Sequence, residues 1–273
     1  MKLKGLFIIL ASLSLSMTGC SSSLQKDLSA KANLDYENSQ IATPVLEYVE
    51  SSEDRSAETK VRDILLSQCF KDNGGEYKIP TGKTTISSTS RDYGIWSVKY
   101  TKKYGLHEPE TYTPVQNDYG ILDKCLKLVK PQVENIGGVV DAQKAKRPTI
   151  IRERAYRAAM SDPEWKTNRE AWWTCLESKG LSPRKGEEEW GTEESLSAYT
   201  RKSSSDPASE EEIRVVTIEA QCNEDTGMAR NLANLEAAYQ MPLIREHQTE
   251  LNDLKEQIKA RTEKFQRFIA ENQ

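Results

Sequence analysis

Only two histidines, His107 and His247, occur in the 273 residues, and no Cys-x-x-Cys pair accompanies them. Zinc sites draw on Cys and His at short spacings, so no metal is expected. No Gly-x-Ser-x-Gly elbow is present, so no serine is marked as a nucleophile. Aromatic residues make up 7% of the chain, glycine only 14 residues, and 29% of residues are charged. That balance describes a helical chain rich in solvent-facing positions. The formal charge of −4 gives no electrostatic reason to expect nucleic acid. No apolar run reaches the ~20 residues that a membrane-spanning helix needs.

What the chain does have begins at its first residues, MKLKGLFIILASLSLSMTGCSSS. Lys2 and Lys4 precede a ten-residue apolar stretch, Leu6 to Leu15, thinned by Ser12 and Ser14. This fits a secretory signal segment. Met17-Thr18-Gly19-Cys20 then resembles the lipobox of bacterial lipoproteins, with Met17 in place of the usual Leu. There the Cys thiol receives a diacylglycerol and becomes the new amino end. Two acyl chains hold a protein at a membrane where one does not, at roughly 0.8 kcal/mol per buried CH₂. The expectation is a signal peptide over 1–19, lipidation at Cys20, a polar flexible tether over 20–42, and a body on the extracytoplasmic face of the cell membrane. Loss of the leader removes two lysines and takes the formal charge to about −6.

Four cysteines remain: Cys69, Cys125, Cys175 and Cys222. An even number at wide spacing in an oxidising compartment predicts two disulfides. Three pairings are possible, and the order favours local closure as Cys69–Cys125 and Cys175–Cys222.

Apolar periodicity places helices along most of the chain. Val61, Ile64, Leu65 and Cys69 predict one helix over 56–73, stopped by Gly74-Gly75. Residues 76–120 read as loops with a short strand or turn around Ile95–Tyr100. Ile121, Leu122, Cys125, Leu128 and Val129 share a helical face that Pro131 is expected to end. Ile136-Gly137-Gly138 and Lys146–Pro148 read as a connector before a helix with Ile151, Ala155 and Ala158 or Ala159. Asp162-Pro163-Glu164 is a strong helix start, leading to Trp165, Trp172, Cys175, Leu176 and a stop at Gly180. Ser205-Asp206-Pro207 repeats that construction ahead of Ile213, Val216, Ala220 and Cys222. After Gly227 the pattern stays helical. Pro242 is expected to start the last helix or kink the one before it. Leu251, Leu254, Ile258, Phe265 and Phe268 step like a coiled-coil seam, with Arg261 in one d position and His247 in another. Such a seam either packs on its own domain or offers a surface to a protein partner.

The expected fold is therefore mainly α: a helical body with a loop-rich insertion, two disulfides and a long C-terminal helix. Cys69 and Cys175 are each followed by a glycine, Gly74 and Gly180, at the same distance. Two related lobes, 43–147 and 148–273, each closed by its own disulfide, account for this most simply.

The ordered motifs TPVLEY, LLSQCFKDNG, KKYGL, NDYG, GILDKCLKL, WTCLESKG and QCNEDTG resemble a set of uncharacterised secreted proteins and lipoproteins of actinobacteria. The resemblance covers about residues 43–245. The chain departs from that pattern at Phe70 and Leu176, where Met is usual, at Lys103, where Arg is usual, and at Val45 before Leu46. The resemblance implies export and paired cysteines, and no activity.

Chemical motifs fail on their details. PTGKTT at 80–85 resembles the end of a phosphate-binding loop, but Tyr77 stands where its first glycine belongs. The glutamate runs Glu187–Glu189 and Glu210–Glu212 read as solvated faces or helix-dipole partners rather than glycosidase carboxylates. His107 reads as exposed in a Pro-flanked loop. Of the adjacent Trp172 and Trp173, one is expected in the core and the other at a packing surface or ligand, because neighbours on a helix diverge. No cofactor is expected. The functional expectation is a non-enzymatic binding or scaffold protein of the cell envelope, with the C-terminal helix as a possible protein-partner surface. The alternative is a hydrolase of peptidoglycan or glycans. A solute-binding lipoprotein is disfavoured by the lack of alternating strands and helices.

Overall fold

The computed structural model describes residues 24–81, 90–111, 113 and 115–272. Cys20, the leader and the Gly82–Thr85 part of the phosphate-loop look-alike lie outside the described residues. The chain is mainly α, as its periodicity requires. Its α-helices are α1 (Ser52–Asp72), α2 (Val98–Tyr104), α3 (Tyr119–Gly137), α4 (Ala142–Met160), α5 (Pro163–Ser178), α6 (Glu193–Ala198), α7 (Glu210–Thr226), α8 (Met228–Glu246) and α9 (Gln248–Glu271). A short antiparallel hairpin, β1 (Asn33–Asp35) with β2 (Gln40–Ala42), and a 3₁₀ turn over Pro44–Tyr48 precede them.

Two larger apolar cores organise these helices, beside a small third cluster of Ile95, Val216 and Ala220. The larger joins Tyr93 and Trp96 to α4, α5, α7 and α8, around the fully buried Trp172, Leu176, Leu232 and Leu243. The smaller is made by α1, α3 and the distal half of α9, around Val61, Phe70, Val129 and Phe265. Fully burying a side chain of this size contributes roughly 1.5–3 kcal/mol. The long helix α9 begins in the larger core at Leu251 and ends in the smaller at Phe265, tying the two together. Its seam residues Leu251, Leu254, Ile258 and Phe265 are buried against this same chain. Arg261, the polar member, pairs with Glu58 at 2.9 Å and lies over the Phe265 ring.

Each core carries one disulfide, Cys69–Cys125 between α1 and α3, and Cys175–Cys222 between α5 and α7. The repeated Cys-to-Gly spacing has a structural cause. Both α1 and α5 end with a glycine in the left-handed region, Gly74 (φ 74°) and Gly180 (φ 77°). The following amide then turns back onto the helix, Gly75 N to Phe70 O at 2.8 Å and Leu181 N to Leu176 O at 3.0 Å. This is one helix-ending motif used twice.

Several local expectations are corrected. Residues 98–104 are helical, where a short strand or turn is the expectation around Ile95–Tyr100, because Ser97 caps the first turn by accepting from Tyr100 N at 3.1 Å. Pro131 does not end α3, which continues to Gly137. Lys127, whose carbonyl loses its i+4 donor to Pro131, and its neighbours Leu126 and Leu128 are exposed residues. The connector before α4 spans only Gly138–Asp141, and Pro148 lies within α4. Helix α7 starts after Ser209, not at Asp206, whose carboxylate instead accepts from Lys202 N and Ser203 N. The C-terminal helical stretch is broken at His247, not at Pro242, which sits inside α8. The Ala238 carbonyl that Pro242 leaves free accepts from Asp27 N at 2.9 Å.

That last bond belongs to a clasp in the stretch expected to be a tether. From residue 24 onward it is held to the body. Lys26 bridges Asp162 and Glu164 at 2.8 Å each, and Ala32 N donates to Asn234 Oδ1 at 3.0 Å. Asp27 also pairs with Arg245. Polar composition reads as solvated chain, and only the partners on α5 and α8 reveal the contacts.

Candidate functional site

A cleft of about 600 Å³ opens where four segments meet. They are the turn at 91–95, the exit of α2 at Leu106 and His107, the 184–191 loop, and α6 with Tyr199 beyond it. Ile95, Leu106, Leu196 and Trp190 give it apolar walls, and Arg91 and Tyr199 supply polar groups. The volume suits a small molecule.

The α2 exit is shaped by a buried ion pair. Arg201 and Glu212 have side chains 1% and 0% exposed. Arg201 Nη2 donates to Glu212 Oε1 at 2.6 Å and Nε to Oε2 at 3.1 Å, a two-pronged contact. The same guanidinium donates to Tyr104 O at 2.7 Å, His107 O at 2.9 Å and Asp206 O at 3.1 Å. Glu212 in turn accepts from Leu106 N at 2.9 Å. Gly105 (φ 68°) makes this approach possible, since a Cβ there would stand 2.5 Å from Glu212 Oε1. Glu212 was expected on a solvated face. It is buried because it falls on the stripe of α7 that also carries Val215 and Cys222.

This network sets the state of His107, which is buried rather than exposed. Arg201 Nη1 lies 3.0 Å from His107 Nδ1 and can only donate, so Nδ1 carries the lone pair. Nε2 then bears the proton and donates to Tyr199 Oη at 3.3 Å. Burial, followed by the positive charges of Arg201 and Arg91, lowers the pKa of His107 from its ordinary 6.5. With its oxygen occupied as acceptor, the Tyr199 hydroxyl is free to donate.

The 184–191 loop is held from behind by Arg169 of α5. Its guanidinium lies between the rings of Trp173, at 4.8 Å, and Trp190, at 4.5 Å. It donates to three loop carbonyls, Gly186 and Glu187 at 2.7 Å and Glu189 at 2.9 Å. Trp190 also meets Trp165 and Tyr93 edge to face. Arg184 and Glu189 pair with each other, which holds the Glu189 carboxyl below its usual range. Below the loop, buried Glu219 accepts from Thr192 N at 2.9 Å and Thr192 Oγ1 at 2.5 Å. Its other oxygen has no partner among the described residues. Burial raises its pKa against those hydrogen bonds.

The residues singled out by sequence are therefore dispersed. The four body cysteines lie in disulfides away from the cleft, and Cys20 lies outside the described residues. Trp96, Trp165 and Trp172 are core, Trp173 stacks on Arg169, and Trp190 lines the cleft. His247 sits at the α8–α9 break, 3.6 Å from Glu250. Among the described residues no cluster of three or more His, Cys, Asp and Glu is placed to hold a metal. No described helix is long and apolar enough to cross a membrane. Arg91, Arg201 and Glu219 carry no local motif. The one available signal is charge on an apolar stripe, Glu212 and Glu219 in line with Val215 and Cys222. No family model, no curated protein and no solved structure matches this chain.

Proposed function

We propose that the chain is exported, processed before Cys20 and held by lipid on the extracytoplasmic face of the cell membrane. There its body acts as a non-enzymatic binding protein of the envelope. The observation that carries the location is the pair of disulfides, one in each core, which supports an oxidising compartment because reducing cytosol keeps most thiols free. It agrees with the leader and with the ordered motifs that resemble secreted actinobacterial lipoproteins. Binding rather than hydrolysis is supported by the cleft. His107 has Nδ1 occupied by Arg201 and Nε2 protonated toward Tyr199, which leaves no lone pair to activate a nucleophile. Glu189 is tied to Arg184, and Glu219 is closed off behind Thr192.

Fractionation of cells fed a labelled fatty acid tests the anchor. The wild-type protein is expected in the membrane fraction with label. Cys20→Ala is expected to lose the label. An equally labelled Cys20→Ala protein contradicts the assignment.

A further inference from the structure

Arg91 is the one cation lining the cleft that has no ion-pair partner among the described residues. Its guanidinium makes no ion pair or hydrogen bond among the described residues, whereas the other arginine lining the cleft, Arg184, is taken by Glu189. Glu219 and Glu212 act on Arg91 through space without a contact to it; Thr192 hydrogen-bonds one oxygen of Glu219, whose pKa burial raises, and Glu212 is paired with Arg201. Burial lowers the pKa of Arg91, which marks the cost of its charge in this position. A guanidinium in a partly dry cleft is strongly stabilised by an anion, and its fork matches the two oxygens of one carboxylate.

The remaining cleft groups fit the same partner. Tyr199 O–H is free to donate because His107 occupies its oxygen. Ser195 Oγ is already spent on Thr192 O at 3.0 Å. Glu188, the acid lining the cleft beside the paired Glu189, is exposed, where water and salt weaken its repulsion. The lining also carries the apolar Ile95, Leu106 and Leu196 and the Trp190 indole, whose ring centre lies 4.5 Å from the Arg169 guanidinium. A phosphate would call for several cations, and among the described lining residues one is unpaired.

We propose that this cleft binds a small molecule carrying one carboxylate on a flat apolar body, the carboxylate on Arg91 and Tyr199 and the body against Trp190, Ile95, Leu106 and Leu196. The proposal rests on the binding reading above and gives it a ligand class.

Calorimetric titration of the mature, detergent-solubilised protein with indole-3-acetate, naphthalene-2-acetate and 4-phenylbenzoate, each beside its neutral amide, tests it. At least one carboxylate is expected to bind, and its amide to bind ~10-fold or more weakly, the scale of a hydrogen bond to a charged group. Arg91→Gln is expected to erase that preference, and Leu196→Trp, which fills the cleft, to weaken acid and amide together. If no carboxylate binds by about 1 mM, or acid and amide bind alike, the proposal is overturned. A folded Arg91→Gln protein that keeps the preference overturns it as well. The acid–amide comparison on the wild type needs no variant to fold. Fatty-acid label on the same preparation separates the two readings. Binding without label leaves the ligand class standing and removes the anchor; label without binding does the reverse.

Discussion

Arg201 Nη1 stands 3.0 Å from His107 Nδ1 and thereby fixes which ring nitrogen carries the proton. Protonating Nδ1 would set two donors face to face. The folded-state pKa of His107 is lowered, so the unfolded chain takes up its proton first as pH falls. The stability that His107 contributes is present above the ordinary 6.5 and is lost on acidification below it. Thermal melting across about pH 5 to 7.5 should show a loss on the acid side that is smaller in His107→Gln. Parallel profiles for the two proteins would refute this state of the ring.

The Arg201–Glu212 pair should be costly to break and cheaper to remove whole. Arg201→Ala leaves Glu212 buried with its charge unanswered and is expected to lose about 3–5 kcal/mol. The double change Arg201→Met with Glu212→Leu should lose less, because no buried charge remains. Urea denaturation of the three proteins measures both. A single variant within about 1 kcal/mol of wild type would mean that the pair is not buried in solution.

Glu219 runs opposite to His107. Its pKa is raised by burial, so its contribution is present below the usual carboxylate range and is lost as pH rises through the folded value. Glu219→Gln keeps the Thr192 contact with an uncharged acceptor. The variant is expected to gain stability relative to wild type as pH rises from about 5 to 8. A constant difference across that range would place the charge in contact with solvent.

The disulfides close loops with sequence separations of 56 and 47 residues. In the loop-entropy model each restrains the unfolded chain by about 4 kcal/mol. Replacing Cys175 and Cys222 together should loosen the core that carries the cleft, whereas replacing Cys69 and Cys125 should loosen the α1–α3 core and leave the cleft intact. Hydrogen exchange at α7 and α3 in the two variants distinguishes the effects. Equal deprotection of both helices in both variants would show that the cores melt as one unit.

The parts of the fold governed by neighbouring residues were legible. Asp162-Pro163 caps α5 by accepting from Glu164 N at 3.0 Å, and Gly74 and Gly180 end their helices where the spacing placed them. Prolines misled because a missing N–H matters only where its carbonyl has no other partner. Ala238 O finds Asp27 N, and Lys127 is an exposed residue, so neither Pro242 nor Pro131 ends its helix. The cleft was illegible for a related reason. Arg91, His107, Arg201 and Glu212 come from separate segments, and their roles follow from contacts between those segments. A glutamate run signals solvent unless the helix phase is followed far enough to put Glu212 in line with Val215, Glu219 and Cys222.

The most direct test is the intact mass of the protein taken from cell membranes without reduction, with its crosslinked peptides mapped. The expected species begins at a diacylated Cys20 and yields Cys69–Cys125 and Cys175–Cys222 peptides with no free thiol. A chain still bearing Met1, with the four body thiols free, would contradict the assignment of this protein to the outer face of the membrane.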